Sequence, residues 1–170
     1  MLKAKPGLRE RKLRIAISGC AGIGKSTLAR ALADRLDISH VDEHYSALFS
    51  PPGTFNSEAI KLIPLFNRVL AEKNQLMQQT GTFVVDRTAL DLLNLWMARG
   101  LTSYPQATAD FSKLCQAEAA TYDLVIFPPW GTLPHRPHDA TDGRIRVSDP
   151  WIQLRNHAAI LGLTRMWVDE

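Results

Sequence analysis

The chain has 170 residues, 45% of them hydrophobic and 22% charged, which is typical of a folded domain with a buried core. Its longest apolar runs are far shorter than the roughly 20 residues of a membrane-spanning helix, and the basic leader 1–12 lacks the apolar segment of a secretory signal. The formal net charge of +3 suits a small polyanionic ligand without indicating nucleic acid, and Cys20 and Cys115 do not suggest a disulfide framework. We therefore expect one cytoplasmic domain over residues 1–170, with no membrane partner and no specific nucleic-acid partner; the oligomeric state is left open.

Along the chain, short apolar segments alternate with segments of helical periodicity, which predicts an α/β fold: a parallel sheet with helices on both faces. In the first helix, Leu28, Leu32 and Leu36 share one face. Strands are predicted at 13–18, 38–42, 82–85, 124–127 and 164–168. Helices are predicted at 25–36, 58–79, 89–99 and 109–120, with a last one that begins after Asp149-Pro150.

The segment between the first strand and the first helix matches the pattern G-x-x-x-x-G-K-[ST] without a mismatch. Glycines allow such a loop to curl so that its N–H groups converge on phosphate oxygens, and the following helix adds the positive end of its dipole. Lys25 would reach the β- and γ-phosphates, and the Ser26 hydroxyl would bind Mg²⁺. The predicted nucleotide-binding residues here are Gly19, Cys20, Ala21, Gly22, Ile23, Gly24, Lys25, Ser26 and Thr27. The pattern in this context predicts a site for a nucleoside triphosphate.

Asp86 follows the third predicted strand, at the edge of the sheet where ligands of parallel α/β folds collect. A carboxylate in this position can hold Mg²⁺, directly or through water. Alternatively, Asp86 caps the helix that begins near Ala89; Thr88 could serve as that cap instead, and we favour the metal role.

Asp42 and Glu43 follow the second strand, and adjacent side chains on an extended chain point in opposite directions. A phosphoryl-transfer enzyme can use one such carboxylate to accept the proton of the acceptor hydroxyl. We favour Glu43, although both could be ordinary solvated acids.

Residues 131–150 are polar, carry no apolar period and contain Arg136, Arg144 and Arg146. A stretch of this length without periodicity is unusual unless it is functional, so we interpret it as a lid that closes over the triphosphate. A plain solvated loop is the alternative. Arg136 or Trp130 could also stack on the base, although a tryptophan taken singly is more often a packing or surface residue.

Gly19–Ser26, Asp86-Arg87-Thr88 and Asp142-Gly143-Arg144 ahead of Asp149-Pro150 together resemble the small P-loop kinases. Within them, the chain is most similar to the AAA-type ATPase/kinase group typified by the nicotinamide riboside kinase domain. The resemblance implies a three-layer P-loop NTPase fold, with a five-stranded sheet in the order 2-3-1-4-5. It also implies that Asp86 and Arg87 serve the metal or the acceptor, together with the transferred phosphate, and that Arg144, with Arg136 and Arg146, acts from the lid.

We therefore expect a small-molecule kinase that uses ATP and Mg²⁺, with Lys25, Asp86, Arg87, Glu43 and Arg144 as catalytic residues and Ser26 and Asp86 as metal ligands. Its partners would be a nucleoside triphosphate and a small acceptor: a nucleoside, a nucleotide or another alcohol. The alternative is a regulatory nucleotide-binding protein with slow turnover. The preference for ATP over GTP is left open.

Overall fold

A computed structural model of the protein describes residues 12–42, 45, 48, 57–131 and 149–167. The predicted site residues Glu43, Arg136, Arg144 and Arg146 lie outside these ranges, as do nearly all of the basic leader and most of the predicted lid. None of the helices in these ranges combines the length and the hydrophobicity of a membrane-spanning segment.

The described residues form a parallel sheet of four strands in the order β2-β3-β1-β4. The strands are β1 (Arg14–Ile17), β2 (Ser39–Val41), β3 (Phe83–Asp86) and β4 (Leu124–Ile126). Ile17 at the end of β1 lies opposite both Asp86 and Ile126, so three strands end at the same level. Whatever follows these strands is thereby brought to one edge of the sheet.

Five α-helices cover the sheet within the described ranges. They are α1 (Lys25–Leu36), α2 (Ala59–Gln79), α3 (Ala89–Ala98), α4 (Pro105–Ala119) and α5 (Pro150–Trp167), with a short 3-10 helix at Leu101–Ser103. The expected cap of α5 is present, because the Asp149 carboxylate accepts hydrogen bonds from the backbone N–H groups of Trp151 (2.8 Å) and Ile152 (3.3 Å).

Alternating side chains of the central strands pack on opposite faces of the sheet, which gives the three layers predicted. Ile15, Ile17 and Val84 pack against Ala29 and Ala33 of α1. On the other face, Ala16, Phe83 and Val85 cluster with Met77 of α2 and Tyr122 beyond α4. A third cluster lies between α2, α3 and α4, where the Trp96 and Phe111 rings stack with centroids 4.4 Å apart.

The predicted fifth strand is wrong, and with it the order 2-3-1-4-5. Residues 164–167 are the last turn of α5. The buried positions of that helix are Gln153, His157, Ile160 and Thr164, a stripe of helical period that runs to its end. The Thr164 hydroxyl donates to the Ile160 carbonyl at 2.9 Å, a bond to the residue four positions earlier that is typical of threonine in a helix. Tertiary packing thus overrides the strand preference of this short apolar segment.

Candidate functional site

The glycine-rich loop joins the buried strand β1 to α1, as predicted. Gly19 has φ of 126°, and a Cβ there would lie only 2.8 Å from Cδ1 of Ile23. Gly24, the N-cap of α1, adopts the left-handed conformation and has no side chain. The first N–H groups of α1 therefore receive no hydrogen bond from a capping side chain. Uncapped helix N–H groups beside a curled loop are a suitable cradle for an anion.

Lys25 is buried within this cradle, with 4% of its surface exposed. Its Nζ donates a hydrogen bond of 2.5 Å to the carbonyl of Cys20 in the same loop. Burial, and after it the nearby Arg87 guanidinium, lowers the pKa of Lys25 to about 8. A cation that is desolvated in this way and lies beside a second cation favours an anionic ligand.

Ser26 and Asp86 meet across the loop, because α1 begins where β3 ends. The Ser26 hydroxyl donates a hydrogen bond to Oδ2 of Asp86, and the Asp86 carboxylate is buried at the end of β3. A hydroxyl and a carboxylate in contact beside a phosphate cradle form the donor set that Mg²⁺ takes from a protein when phosphates supply its other ligands.

The N-cap of α3 is Thr88, so Asp86 is not the residue that caps this helix. The Thr88 hydroxyl accepts from the N–H of Leu90 at 3.2 Å, and Asp91 Oδ2 accepts from the N–H of Thr88 at 2.9 Å, which completes a capping box. Asp86 is therefore left to face the loop.

Asp91 is a site residue that the sequence reasoning missed. It is buried, and besides its capping role it accepts hydrogen bonds from the Ser18 hydroxyl at 2.6 Å and from the Gly19 N–H at 3.3 Å. One carboxylate thus connects the start of α3 to the start of the phosphate loop. Its sequence signal is the spacing of Thr88 and Asp91, a T-x-x-D variant of the capping box.

Arg87 adopts a left-handed backbone conformation, with φ of 74°, which is unfavourable for a residue with a Cβ. Its N–H donates to the Ile17 carbonyl at 2.8 Å. Its guanidinium lies 3.6 Å from the Asp91 carboxylate and 6.0 Å from the centre of the Tyr45 ring. These contacts hold the turn so that the guanidinium is directed to the same edge as Lys25.

A buried ion pair supports this turn from below. Lys73 of α2 and Glu118 of α4 are fully buried, 2.7 Å apart. Lys73 Nζ also donates to the Arg87 carbonyl at 2.7 Å, and Glu118 accepts from the N–H of Ala89 at 2.9 Å and from the Tyr122 hydroxyl. Both charges therefore bind the backbone on either side of Thr88. In the sequence, this buried pair is indicated by the position of Lys73 within the apolar stripe of α2.

Helix α5 forms a further wall of the site, which the sequence reasoning also missed. A Cβ at Gly22 would lie 3.3 Å from the Gln153 side-chain nitrogen, and one at Gly19 would lie 3.4 Å from Nδ1 of His157. The His157 ring packs edge-on against Phe127, with centroids 4.8 Å apart. The loop is thus enclosed by side chains from α5 and from the end of β4.

The remaining predicted residues divide into three groups. Cys20 and Ile23 are buried within the loop, and Thr27 is exposed on α1. Asp42 is exposed and lies 3.8 Å from Arg30, an ordinary surface pair. Glu43 and the three lid arginines lie outside the described residues, so their roles stay predictions.

Comparison with known proteins agrees with this geometry. A family model described as an AAA domain matches residues 14–162. The cytidylate kinase of Maridesulfovibrio salexigens is 29% identical over 135 residues, which are 67% of this chain and 59% of that kinase. The chain spans less than two thirds of the length of this relative. Because the family model covers most of the chain, including the phosphate loop and the Asp86-Arg87 turn, the chain belongs to the AAA domain family, within the P-loop NTPase and nucleoside-kinase-like group that its motifs indicated.

Proposed function

We propose that the protein transfers the γ-phosphoryl group of ATP to a small-molecule acceptor, in a reaction that requires Mg²⁺. The observation that carries the proposal is the convergence of Lys25, the Ser26–Asp86 pair and Arg87 at one edge of the sheet, around a loop built for an anion. Phosphoryl transfer demands mainly positioning and charge stabilisation, which two cations and a metal-binding pair supply.

Each residue has a distinct role in this proposal. The loop N–H groups bind the phosphates, and Lys25 exchanges its bond to the Cys20 carbonyl for phosphate oxygens. Arg87, held by Asp91, stabilises charge on the transferred group. Of the residues outside the described ranges, Glu43 accepts the acceptor proton, Arg144 and Arg146 act from the lid, and Arg136 contacts the nucleotide.

The residues at the site fit Mg²⁺. The ion would be held by Ser26 and Asp86, and it would neutralise charge on the phosphates. Mg²⁺ usually binds one or two protein ligands together with phosphates and water, and Ser26 and Asp86 would supply two.

The acceptor is proposed to be a nucleotide or a nucleoside, because the kinase relative acts on cytidylate. The buried Lys73–Glu118 pair supports the Asp86-Arg87 turn, which would contact such an acceptor. Cytidylate is therefore the first acceptor to test.

A panel assay tests the proposal. The chain is incubated with ATP or GTP and Mg²⁺, with and without cytidylate, other nucleoside monophosphates and nucleosides, and products are separated by ion-exchange chromatography. We expect acceptor-dependent ADP formation that is abolished by EDTA and by Lys25→Ala. Slow hydrolysis that no acceptor accelerates would instead support the regulatory alternative, and no triphosphate binding would overturn both.

A further inference from the structure

His157 is a buried histidine on the α5 wall of the phosphate loop, and the roles assigned above leave it unused. Only 8% of its surface is exposed. Its Nδ1 lies 3.4 Å from the point where a Gly19 Cβ would stand, so the ring edge is directed at the first residue of the loop. The other contact that fixes the ring is apolar, with Phe127.

Nδ1 of His157 has no hydrogen-bond partner among the described residues. A buried polar nitrogen without a partner costs free energy, which a ligand or a proton that reaches it can recover. What distinguishes Nδ1 of His157 is its position beside the first residue of the phosphate loop. The charged groups that act on this ring from the surrounding elements are Lys25 at the start of α1 and Asp91 on α3.

The charge balance around His157 depends on what Lys25 binds. Burial, and next the Lys25 ammonium, lowers the pKa of His157, while Asp91 opposes them, so the ring is neutral near pH 7 in the free protein. A polyphosphate brings several negative charges to Lys25. It would cancel the repulsion that keeps the ring neutral and add an attraction of its own.

We propose that His157 is a further nucleotide-binding residue of this site, contributed by α5, which binds a proton more tightly when a polyphosphate fills the loop and, once protonated, interacts with it as a cation. This inference rests on the nucleotide-binding part of the proposed function and does not require that phosphoryl transfer occurs. It differs from a packing role, in which the ring would fill space beside Phe127 and stay neutral.

The sign of the pH dependence follows from linkage. Binding favours the protonated ring, so affinity rises as pH falls through the window between the bound and the free pKa of His157. Above that window the ring is neutral in both the free and the bound state, so it does not make the affinity depend on pH. A rise of one unit in the pKa corresponds to a gain in affinity of about tenfold at low pH.

The test follows the imidazole signal by NMR during pH titrations of the whole chain, with and without saturating ADP. His157→Gln assigns the resonance, and His40 in β2 is the internal control, because β3 and β1 separate that strand from β4. We expect ADP to raise the pKa of His157 by about one unit and to affect the His157 signal far more than the His40 signal. Calorimetry should then show that His157→Gln weakens ADP binding severalfold at pH 6 but not at pH 8, whereas His40→Gln behaves like the parent.

Three results would overturn the inference. An unchanged His157 titration in the presence of bound ADP would assign the ring to packing and leave the proposed function intact. Equal shifts at His157 and His40 would show a general field in place of a local contact. If no nucleotide binds the parent at any pH, the proposed function fails together with the inference.

Discussion

Replacing Lys73 by Met should destabilise the fold far more than the same change at an exposed ion pair. The Lys73 and Glu118 side chains are fully buried, and Lys73 also donates to the Arg87 carbonyl. Met matches the length of the lysine stem but leaves a carboxylate in the interior without its counter-charge. Removing one partner of a buried pair costs about 3–5 kcal/mol.

The local contacts indicate where in that range Lys73→Met should lie. Glu118 keeps the N–H of Ala89 and the Tyr122 hydroxyl as donors, so its charge stays partly stabilised. The Arg87 carbonyl loses its lysine donor, which adds a cost of its own. We expect about 3–4 kcal/mol, out of a total stability of about 5–15 kcal/mol for a domain. The melting temperature should fall by about 6–16 °C.

The assay is urea unfolding, followed by far-UV circular dichroism, with Lys61→Met as the matched control on the same helix. Lys61 lies 3.1 Å from Glu58, but both side chains are about two-thirds exposed, so the loss there should stay below about 1 kcal/mol. Lys73→Met combined with Glu118→Gln should be less destabilised than the sum of the two single variants, because the uncompensated charge is gone while an amide oxygen can still accept from Ala89. Equal losses for Lys73→Met and Lys61→Met would refute the reasoning.

The other predictions concern the proposed catalytic groups. Lys25→Ala should keep the fold but weaken triphosphate binding and abolish turnover, because the phosphates lose their buried counter-charge; parental affinity by calorimetry and a parental rate would contradict this. Asp86→Asn should slow transfer by roughly 10²-fold or more and alter the Mg²⁺ dependence, measured in a coupled assay over a range of Mg²⁺ concentrations; a parental profile would remove Asp86 from the metal site. Arg144→Ala should lower kcat more than nucleotide affinity, and the segment 131–148 should become resistant to limited proteolysis when an ATP analogue and Mg²⁺ bind. An identical cleavage pattern in both states, with a parental rate for the variant, would leave that segment as a solvated loop.

The phosphate loop could be predicted from sequence because its determinants are local. Eight consecutive residues specify the turn, and the flanking strand and helix are recognisable from their own composition. The cap of α3 at Thr88 could be predicted for the same reason, since capping follows from short spacing.

Residues contributed by distant elements could not be found in this way. His157 and Gln153 are more than 120 residues away from the phosphate loop in the sequence, yet both lie beside it in the structure. The sequence near them does not indicate which face of α5 packs against the loop. The leucine stripe of α1 misled similarly: Leu28 and Leu36 are 38% and 44% exposed, while the small residues Ala29 and Ala33 are buried against the sheet. Close approach of a helix to a sheet favours alanine, a choice that hydrophobicity alone does not reveal.

The carboxylate of Asp91 has a consequence for the entropy of ligand binding. It holds the Ser18 hydroxyl and the Gly19 N–H in place, and the same residue closes the capping box of α3, so the first residues of the loop are ordered when the domain folds. If a phosphate binds here as proposed, these first residues already have their bound order, and its contacts with them would contribute to affinity at little cost in chain entropy.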